Sequence, residues 1–174
     1  RPGGEQTDKT LVAMTRVVIL GGGNIGDVAA RMDAAEALIT ERIGAIVAHS
    51  ATYRTEPWGF HATEPFLNRA WVVETSLDGE QALDRLLAIE CEAGRDRQKE
   101  CDEKRATGQR YASRALDLDI LLFGEQRIST ERLQVPHPRL REREFAIVQT
   151  CEALGIGREE LLRMIENIEN ENMK

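Results

Sequence analysis

Apolar residues alternate with polar ones, or form short β-branched runs, in several stretches of the chain, and such stretches predict strands. We predict strands over residues 16–20, 45–55, 70–77 and 115–123. The last strand, within RALDLDILLFG, places four aliphatic residues on one face: Leu116, Leu118, Ile120 and Leu122. Asp117 and Asp119 therefore share the opposite face.

Apolar residues recur at helical spacing between these strands. The first helix is predicted from Val28 to Ile43, with Asp27 as its N-cap and Gly44 as its stop. The second follows a capping-box pair, Asp78 and Gln81, and ends at Gly94. Two more helical stretches are predicted near residues 139–151 and 158–168.

The predicted order is β-α-β-β-α-β followed by helices. This order is typical of an α+β fold, a ferredoxin-like α/β sandwich whose mainly antiparallel sheet has helices on one face. A length of 174 residues suits one domain. The chain begins without Met, so we expect residues 1–13 to be an extension and residues 14–174 a single domain. The polar stretch 95–113 is too long for an ordinary connection and predicts a disordered segment or a functional lid.

Composition excludes several classes of protein. The chain is 41% hydrophobic and 30% charged, and lacks an apolar run that could cross a membrane or act as a signal peptide. Three cysteines without C-x-x-C spacing support neither a disulfide framework nor a zinc site, so we expect a reducing cytoplasm. A net charge of −7 argues against a nucleic-acid binder. Two segments, 94–114 and 127–143, are nevertheless basic. Such segments are typical of the surroundings of a small bound polyanion.

Asp117 and Asp119 are the first candidates for chemistry. Two carboxylates on one strand face repel each other unless positive charge lies between them, and magnesium prefers such oxygen ligands together with substrate phosphates. The alternatives are a solvated strand edge or salt bridges to neighbouring arginines. The glycines of GGGNIGD, after the first strand, match no phosphate-binding motif, so we interpret them as a turn that starts a helix.

Six spaced motifs occur in order between about residues 14 and 152: LGGGNIGD, YRTEPWGF, FLNRA, IE-x-x-x-GR-x-R, RALDLDILLFG and VPHPRL-x-x-R-x-F. Together they resemble the 6-hydroxymethyl-7,8-dihydropterin pyrophosphokinase family, HPPK, of folate biosynthesis. The resemblance implies an ATP-dependent diphosphotransferase with two Mg²⁺ ions. It would transfer the β,γ-diphosphate of ATP to the pterin hydroxymethyl group and release AMP.

The resemblance also implies roles for individual residues. Those matching the catalytic and metal positions are Arg95, Arg97, Arg114, Asp117 and Asp119, with both aspartates as the metal ligands. Those matching ATP-binding positions are Arg110, Ile120, Arg132, Leu133, Gln134, His137 and Arg143. Those matching pterin-binding positions are Thr55, Glu56, Trp58, Phe66, Asn68, Tyr111 and Phe145. Glu90 matches an acid at a helix end, for which we expect a supporting role. On residues alone, Phe66 and Phe145 fit an ordinary core equally well.

The chain departs from the family pattern at several positions. Gly23 replaces a usual Ser, Tyr111 replaces a Trp of several members, and Gln149 to Glu152 replace a Pro-Leu pair and part of an E-I-A-P stretch. One alternative is a catalytically silent nucleotide- or pterin-binding module, and another is a ferredoxin-like nucleic-acid binder, which would need exposed aromatic residues on the sheet. We expect ATP and the pterin as the only partners, without nucleic acid or membrane, and a monomer as the simplest state.

Overall fold

The computed structural model describes residues 13–55, 65–94 and 115–171. The helices are α1 Val28–Arg42, α2 Gly79–Ala93, α3 Glu144–Leu154 and α4 Arg158–Glu171. The strands are β1 Thr15–Gly23, β2 Gly44–His49, β3 Tyr53–Thr55, β4 Phe66–Thr75, β5 Asp117–Phe123, β6 Ile128–Ser129 and β7 Gln134–Val135. The predicted strand over 45–55 is thus two strands, and the β6–β7 ladder was not anticipated.

The main sheet has five strands in the order β2-β4-β1-β5, with β3 also paired to β4. Every pairing is antiparallel, and β1 lies in the middle of the sheet between β4 and β5. This is the strand order of a βαββαβ sandwich, so the predicted α+β, ferredoxin-like architecture is confirmed.

The ends of α1 and α2 lie close to where the capping signals place them. The Asp27 carboxylate accepts the Ala30 amide proton at 3.0 Å and caps α1. The Asp78 carboxylate accepts from the Gln81 amide, while the Gln81 side chain accepts from the Asp78 amide, each at 2.9 Å. These bonds satisfy amide groups that an uncapped helix leaves without partners.

Helices cover both faces of the sheet. On the α1–α2 face, Met32, Ile39 and Leu86 pack against Trp71 in one buried cluster. On the α3–α4 face, a second cluster joins Ile147 and Ile165 to strand residues such as Val18 and Val72. The expectation that helices lie on one face is therefore wrong. The helices that follow β5 shield the apolar residues on the second face from water.

Glycines 21 to 23 lie inside β1 rather than in a turn. A Cβ on Gly21 would come within 2.4 Å of the Trp71 indole. These positions leave room for side chains of the neighbouring strands, so our interpretation of the glycines as a turn is wrong for Gly21 to Gly23. The left-handed position is Gly26, with a φ of 69°, just before the N-cap of α1.

A bulge interrupts the alternation of β5. Ile19 pairs with Ile120, whereas Val18 pairs with Leu122, which leaves Leu121 as the extra residue. Leu122 consequently packs on the α3–α4 face, and not with Leu118 and Ile120 as its position in the sequence predicts. The alternation predicted for residues 116 to 120 is otherwise observed.

The structure also describes two of the three cysteines. Cys91 takes part in a disulfide, so the expectation of reduced cysteines is wrong at this position, whereas Cys151 is a free thiol whose pKa is raised by burial. Within residues 13–55, 65–94 and 115–171, we find no helix with the length and apolar character needed to cross a membrane. The proposed extension falls almost wholly on residues 1–12, outside the described residues.

Candidate active site

The paired aspartates lie at the start of β5. Asp117 and Asp119 are half-buried and alternate with Leu118 and Ile120, whose side chains enter the core of the α1–α2 face. Both carboxylates therefore lie on the α3–α4 face, with Cα atoms about 7 Å apart along the strand. Among the described residues there is no group of three or more His, Cys, Asp or Glu side chains that could form a complete metal cage.

Glu90 supports the strand between these two aspartates. The Leu118 amide donates to the Glu90 carboxylate at 2.7 Å, from β5 to the last turn of α2. A hydrogen bond to an ionised acceptor is stronger than one between neutral groups. The bond holds the backbone of Leu118, and so it orients the residues on either side. This contact agrees with the supporting role expected for Glu90.

Asn68 and Asp117 lie on either side of Gly22, on the two strands that flank β1. In the register of the sheet, Gly22 faces Asn68 on β4 and Asp117 on β5. A Cβ on Gly22 would come within 2.3 Å of the Asn68 Oδ1 and 2.6 Å of the Leu67 carbonyl oxygen. Gly22 therefore leaves the space that the Asn68 amide occupies. Sequence reasoning missed this role, since only the register of three strands reveals it.

Thr55 and Phe66 extend the same surface toward the edge of the sheet. They face each other across the β3–β4 pair, and the Asn68 amide donates to the Thr55 hydroxyl at 3.5 Å, the long limit of a hydrogen bond. Phe66 and Asn68 precede Ala70 on the α3–α4 face of β4. Phe145, in the first turn of α3, packs against the buried cluster of that face. The structure thus brings four predicted pterin-binding residues to one face of the sheet.

His137 and Arg143 follow the β6–β7 ladder on the approach to α3. The His137 amide donates to the Leu121 carbonyl at 2.9 Å, and its Nδ1 accepts from the Arg139 amide at 3.1 Å. Burial lowers the pKa of His137, and the positive charges of Arg143 and Arg139 lower it further, while Asp117 acts in the opposite direction. The ring is therefore neutral at pH 7, with its proton on Nε2. The charges of Arg143, Arg139 and Asp117 thus all act on the His137 ring.

Four of the residues predicted to bind ATP, namely Ile120, Arg132, Leu133 and Gln134, lie away from the surface that carries the paired aspartates. Ile120 and Leu133 are buried in the cluster of the α1–α2 face. Arg132 donates to Glu80 at 2.9 Å and to Asp84 at 2.5 Å, both on α2, and the Gln134 side chain donates to the Thr130 carbonyl at 3.1 Å. The structure brings these residues together but not onto the face of Asp117 and Asp119.

Seven predicted site residues lie outside the described residues. They are Glu56, Trp58, Arg95, Arg97, Arg110, Tyr111 and Arg114. Their roles stay predictions, as does the expectation for the segment 95–113.

A cavity of about 410 Å³ lies at the end of the sheet where β1 ends and β4 begins. Its lining consists of Asn24, Gly26, Val28, Arg54, Pro65 and Leu67. Leu67 packs with the cluster of the α1–α2 face, whereas its neighbour Asn68 faces the other way. This cavity is therefore distinct from the surface that carries the paired aspartates.

Comparison with known proteins shows which family this chain resembles. A sequence model described as 7,8-dihydro-6-hydroxymethylpterin-pyrophosphokinase matches residues 18–155. A 2-amino-4-hydroxy-6-hydroxymethyldihydropteridine pyrophosphokinase of Methylorubrum extorquens is 37% identical over 140 residues, which are 80% of this chain and 82% of the relative. The protein with the same description from Bacillus subtilis is 38% identical over 75% of this chain and 73% of the relative.

Solved structures agree with the fold. A crystal structure of wild-type Plasmodium falciparum HPPK-DHPS with pteroate is 13% identical, has a TM-score of 0.61, and covers 93% of this chain. This chain spans 46% of that one, so it corresponds to less than half of the larger protein. At this identity the likeness supports the fold alone.

Proposed function

The chain belongs to the 7,8-dihydro-6-hydroxymethylpterin-pyrophosphokinase family and is a pyrophosphokinase of folate biosynthesis, and from this premise we propose which residues carry the reaction. ATP is the co-substrate, and its β,γ-diphosphate passes to the hydroxymethyl group of 6-hydroxymethyl-7,8-dihydropterin, leaving AMP. The family match supports this role and not that of a silent binding module. The assignment of the active site rests on Asp117, Gly22 and Asn68, which face one another across three neighbouring strands. This register places an acidic group and an amide group on either side of Gly22.

Asp117 and Asp119 are proposed as the magnesium ligands. Their donor set fits this cation, because magnesium is usually held by one or two carboxylates together with substrate phosphates. Both side chains are half-buried and share one strand face. Magnesium, when bound, would neutralise charge on the phosphate oxygens. The count of two ions rests on the family resemblance.

His137 and Arg143 are proposed to bind the phosphates beside the aspartates. The two residues belong to one small region, because the charges of Arg143 and Asp117 both act on the pKa of His137. The His137 Nε2 proton is available because Nδ1 already accepts from Arg139. Arg95, Arg97, Arg110 and Arg114 would add positive charge from the segment outside the described residues. Arginine suits phosphate because its planar fork matches two oxygens.

The pterin is proposed to lie over Thr55, Phe66 and Asn68, with Phe145 on the opposite wall. An Asn amide supplies both a donor and an acceptor, which the polar edge of a pterin requires. Two aromatic rings favour stacking on a flat heterocycle. Glu56, Trp58 and Tyr111 would complete this site. The adenine and ribose are proposed to lie against Ile120, Arg132, Leu133 and Gln134, which places the nucleoside beyond β5 from the pterin.

Positioning and charge neutralisation account for the reaction in this proposal. The hydroxymethyl oxygen attacks the β-phosphorus, the bond between that phosphorus and the α,β-bridging oxygen breaks, and AMP leaves with the bonding electrons. The proton of the hydroxyl passes to solvent. Holding two reactants in line removes much of the entropy cost of a bimolecular step. A strong general base is not required of any described side chain.

The proposal is tested by AMP release from ATP and 6-hydroxymethyl-7,8-dihydropterin, with and without magnesium. We expect AMP to depend on both pterin and magnesium, and Asp117→Asn to lower kcat/KM by about 100-fold or more, because the amide keeps the shape of the acid but not its charge. Glu125→Gln, in the exposed turn after β5, is the matched control and should retain activity.

Other outcomes would contradict the proposal. Formation of ADP would mean that a different phosphate is transferred. Binding of both ligands without turnover would favour the silent module. Full activity of Asp117→Asn would show that the aspartates do not form the metal site. A monomer and a cytoplasmic location stay predictions, and mass photometry of the purified protein checks the first.

A further inference from the structure

The last turn of α3 carries a carboxylate that reaches across to β3. One Glu152 oxygen accepts the Ala51 amide proton at 3.0 Å, and the other accepts the Tyr53 hydroxyl proton. Ala51 lies in the short stretch between β2 and β3, and Tyr53 is the first residue of β3. Glu152 thus holds this stretch with two hydrogen bonds from a different layer of the fold.

β3 is a short strand with a single partner strand. It is three residues long and pairs with β4 alone in the sheet. Its residues nonetheless contribute to the proposed pterin site, because Tyr53 faces Asn68 and Thr55 faces Phe66 in the β3–β4 register. A short strand with one partner has few ladder bonds to hold it, so the two bonds to Glu152 add to its anchoring, beside the bond from Arg69 to Thr52 and the bonds between Ser50 and Ala70 just before the strand.

The same helix carries the opposite wall of that site. Phe145 lies in the first turn of α3, and Glu152 lies seven residues later, about 10 Å along the helix. Between them, Ala146 and Ile147 are buried against the sheet and fix the helix in place. One rigid element therefore carries an aromatic wall at one end and the anchor of the facing strand at the other.

We propose that Glu152 is a positioning residue for the pterin: through Ala51 and Tyr53 it sets the spacing between Phe145 on α3 and the surface formed by Thr55, Phe66 and Asn68. Glu152 does not touch the substrate in this proposal. The inference rests on the proposed pterin site. It assigns a functional reason to an acid that lies outside every predicted set of site residues.

The ionisation of the two partners agrees with this arrangement. The hydrogen bonds from Tyr53 and Ala51 hold the pKa of Glu152 below its usual value, and the same carboxylate raises the pKa of Tyr53. At neutral pH the acid is therefore ionised and the phenol keeps its proton. Hydrogen bonds to an ionised acceptor are shorter and stronger than those between neutral groups.

The test compares Glu152→Ala, Glu152→Gln and Tyr53→Phe in steady-state assays of AMP formation, with pterin and ATP varied in turn. We expect Glu152→Ala to raise the KM for the pterin about tenfold, with the KM for ATP changed less than about twofold. Glu152→Gln should restore most of the pterin affinity, because an amide can accept from Ala51 and donate to the Tyr53 oxygen. Tyr53→Phe removes one of the two bonds and should give an intermediate value.

Glu169→Ala is the matched control, since it removes another carboxylate near the surface, one on α4 that pairs with Arg141. It should leave both KM values unchanged. An equal rise of both KM values in Glu152→Ala, or a lower melting temperature without any change in the KM for the pterin, would overturn the proposal. Tyr53→Phe keeps the test decisive if Glu152→Ala fails to fold, because an unchanged pterin KM in that variant also overturns it. An inactive wild type would instead overturn the proposed function, and this inference with it.

Discussion

Individual residues of the site are defined by their neighbours across strands. Gly22 shows this most clearly, because its lack of a side chain admits the Asn68 amide beside Asp117. The aspartates themselves are readable from a D-x-D pattern within a strand. The role of Gly22 cannot be predicted from the sequence, because a run of three glycines after a strand looks the same whether it forms a turn or allows a close contact.

Replacing Gly22 tests this reading at the scale of one residue. Gly22→Ala should lower the free energy of unfolding by about 1–3 kcal/mol, because its Cβ would overlap the Asn68 side chain and a main-chain oxygen. Displacement of the amide should also weaken pterin binding. Denaturant unfolding and calorimetric titration with the pterin measure the two effects.

Gly157→Ala is the control for this prediction, because a Cβ there would meet nothing within 4 Å. Wild-type stability and wild-type pterin affinity in Gly22→Ala would show that the strand adjusts without moving Asn68.

At the scale of elements, local signals placed the caps of α1 and α2 but not the extent of β1 or the packing of α3. Capping depends on residues within one turn, so it can be read from the sequence. The burial of α3 depends on contact with the sheet. Gln149 and Thr150, where the family has a Pro-Leu pair, are fully buried in α3. Within the described part of the chain, their side-chain polar atoms have no hydrogen-bond partner.

Removing this unsatisfied amide should stabilise α3 against the sheet. Gln149→Leu should raise the free energy of unfolding by about 1–3 kcal/mol, since a buried polar group without a partner loses its hydration and gains no bond in return. Chemical denaturation of the variant and the wild type gives the difference.

Gln126→Leu provides the same change of chemistry in the exposed turn after β5. It should alter stability by no more than about 0.5 kcal/mol. A destabilised Gln149→Leu would mean that the amide has a partner, such as an internal water.

For the whole molecule, the two-sided covering of the sheet decides where the chemistry lies. On the α1–α2 face, the Glu36 carboxylate accepts from the Trp71 indole and from Arg69 beside the buried cluster. The α3–α4 face holds Asp117, Asn68 and Phe145 beside its own buried cluster. The approach to α3 carries His137 and Arg143 to the same region. The cationic residues that follow β5 therefore come close to the aspartates of β5 only when the layers of the fold assemble.

This assembly makes global stability depend on pH through His137. Burial and two arginines hold its pKa below the ordinary value in the folded protein, while the unfolded chain keeps that ordinary value of 6.5. Above the unfolded pKa the ring is neutral in both states, so its burial does not lower the free energy of unfolding through protonation. As the pH falls from 6.5 through the lowered folded pKa, the unfolded state takes up a proton first, and stability is lost.

The free energy of unfolding, measured in steps from pH 7.5 to about 5, checks this expectation. His137→Asn keeps an acceptor for the Arg139 amide but does not titrate, so its curve should be flatter over that interval than the wild-type curve. Parallel curves for the two proteins would show that His137 does not contribute to the loss.

The sequence by itself determined the element order, the ferredoxin-like sandwich, the helix caps and the face shared by Asp117 and Asp119. All of these depend on periodicity or on contacts within a few residues. The tertiary structure decided the role of Gly22, the bulge that turns Leu122 to the other face, the second helical layer and the bonds from Glu152 to β3. Each of these depends on which distant residues come into contact, and hydrophobic burial and strand register settle that only when the whole chain has folded.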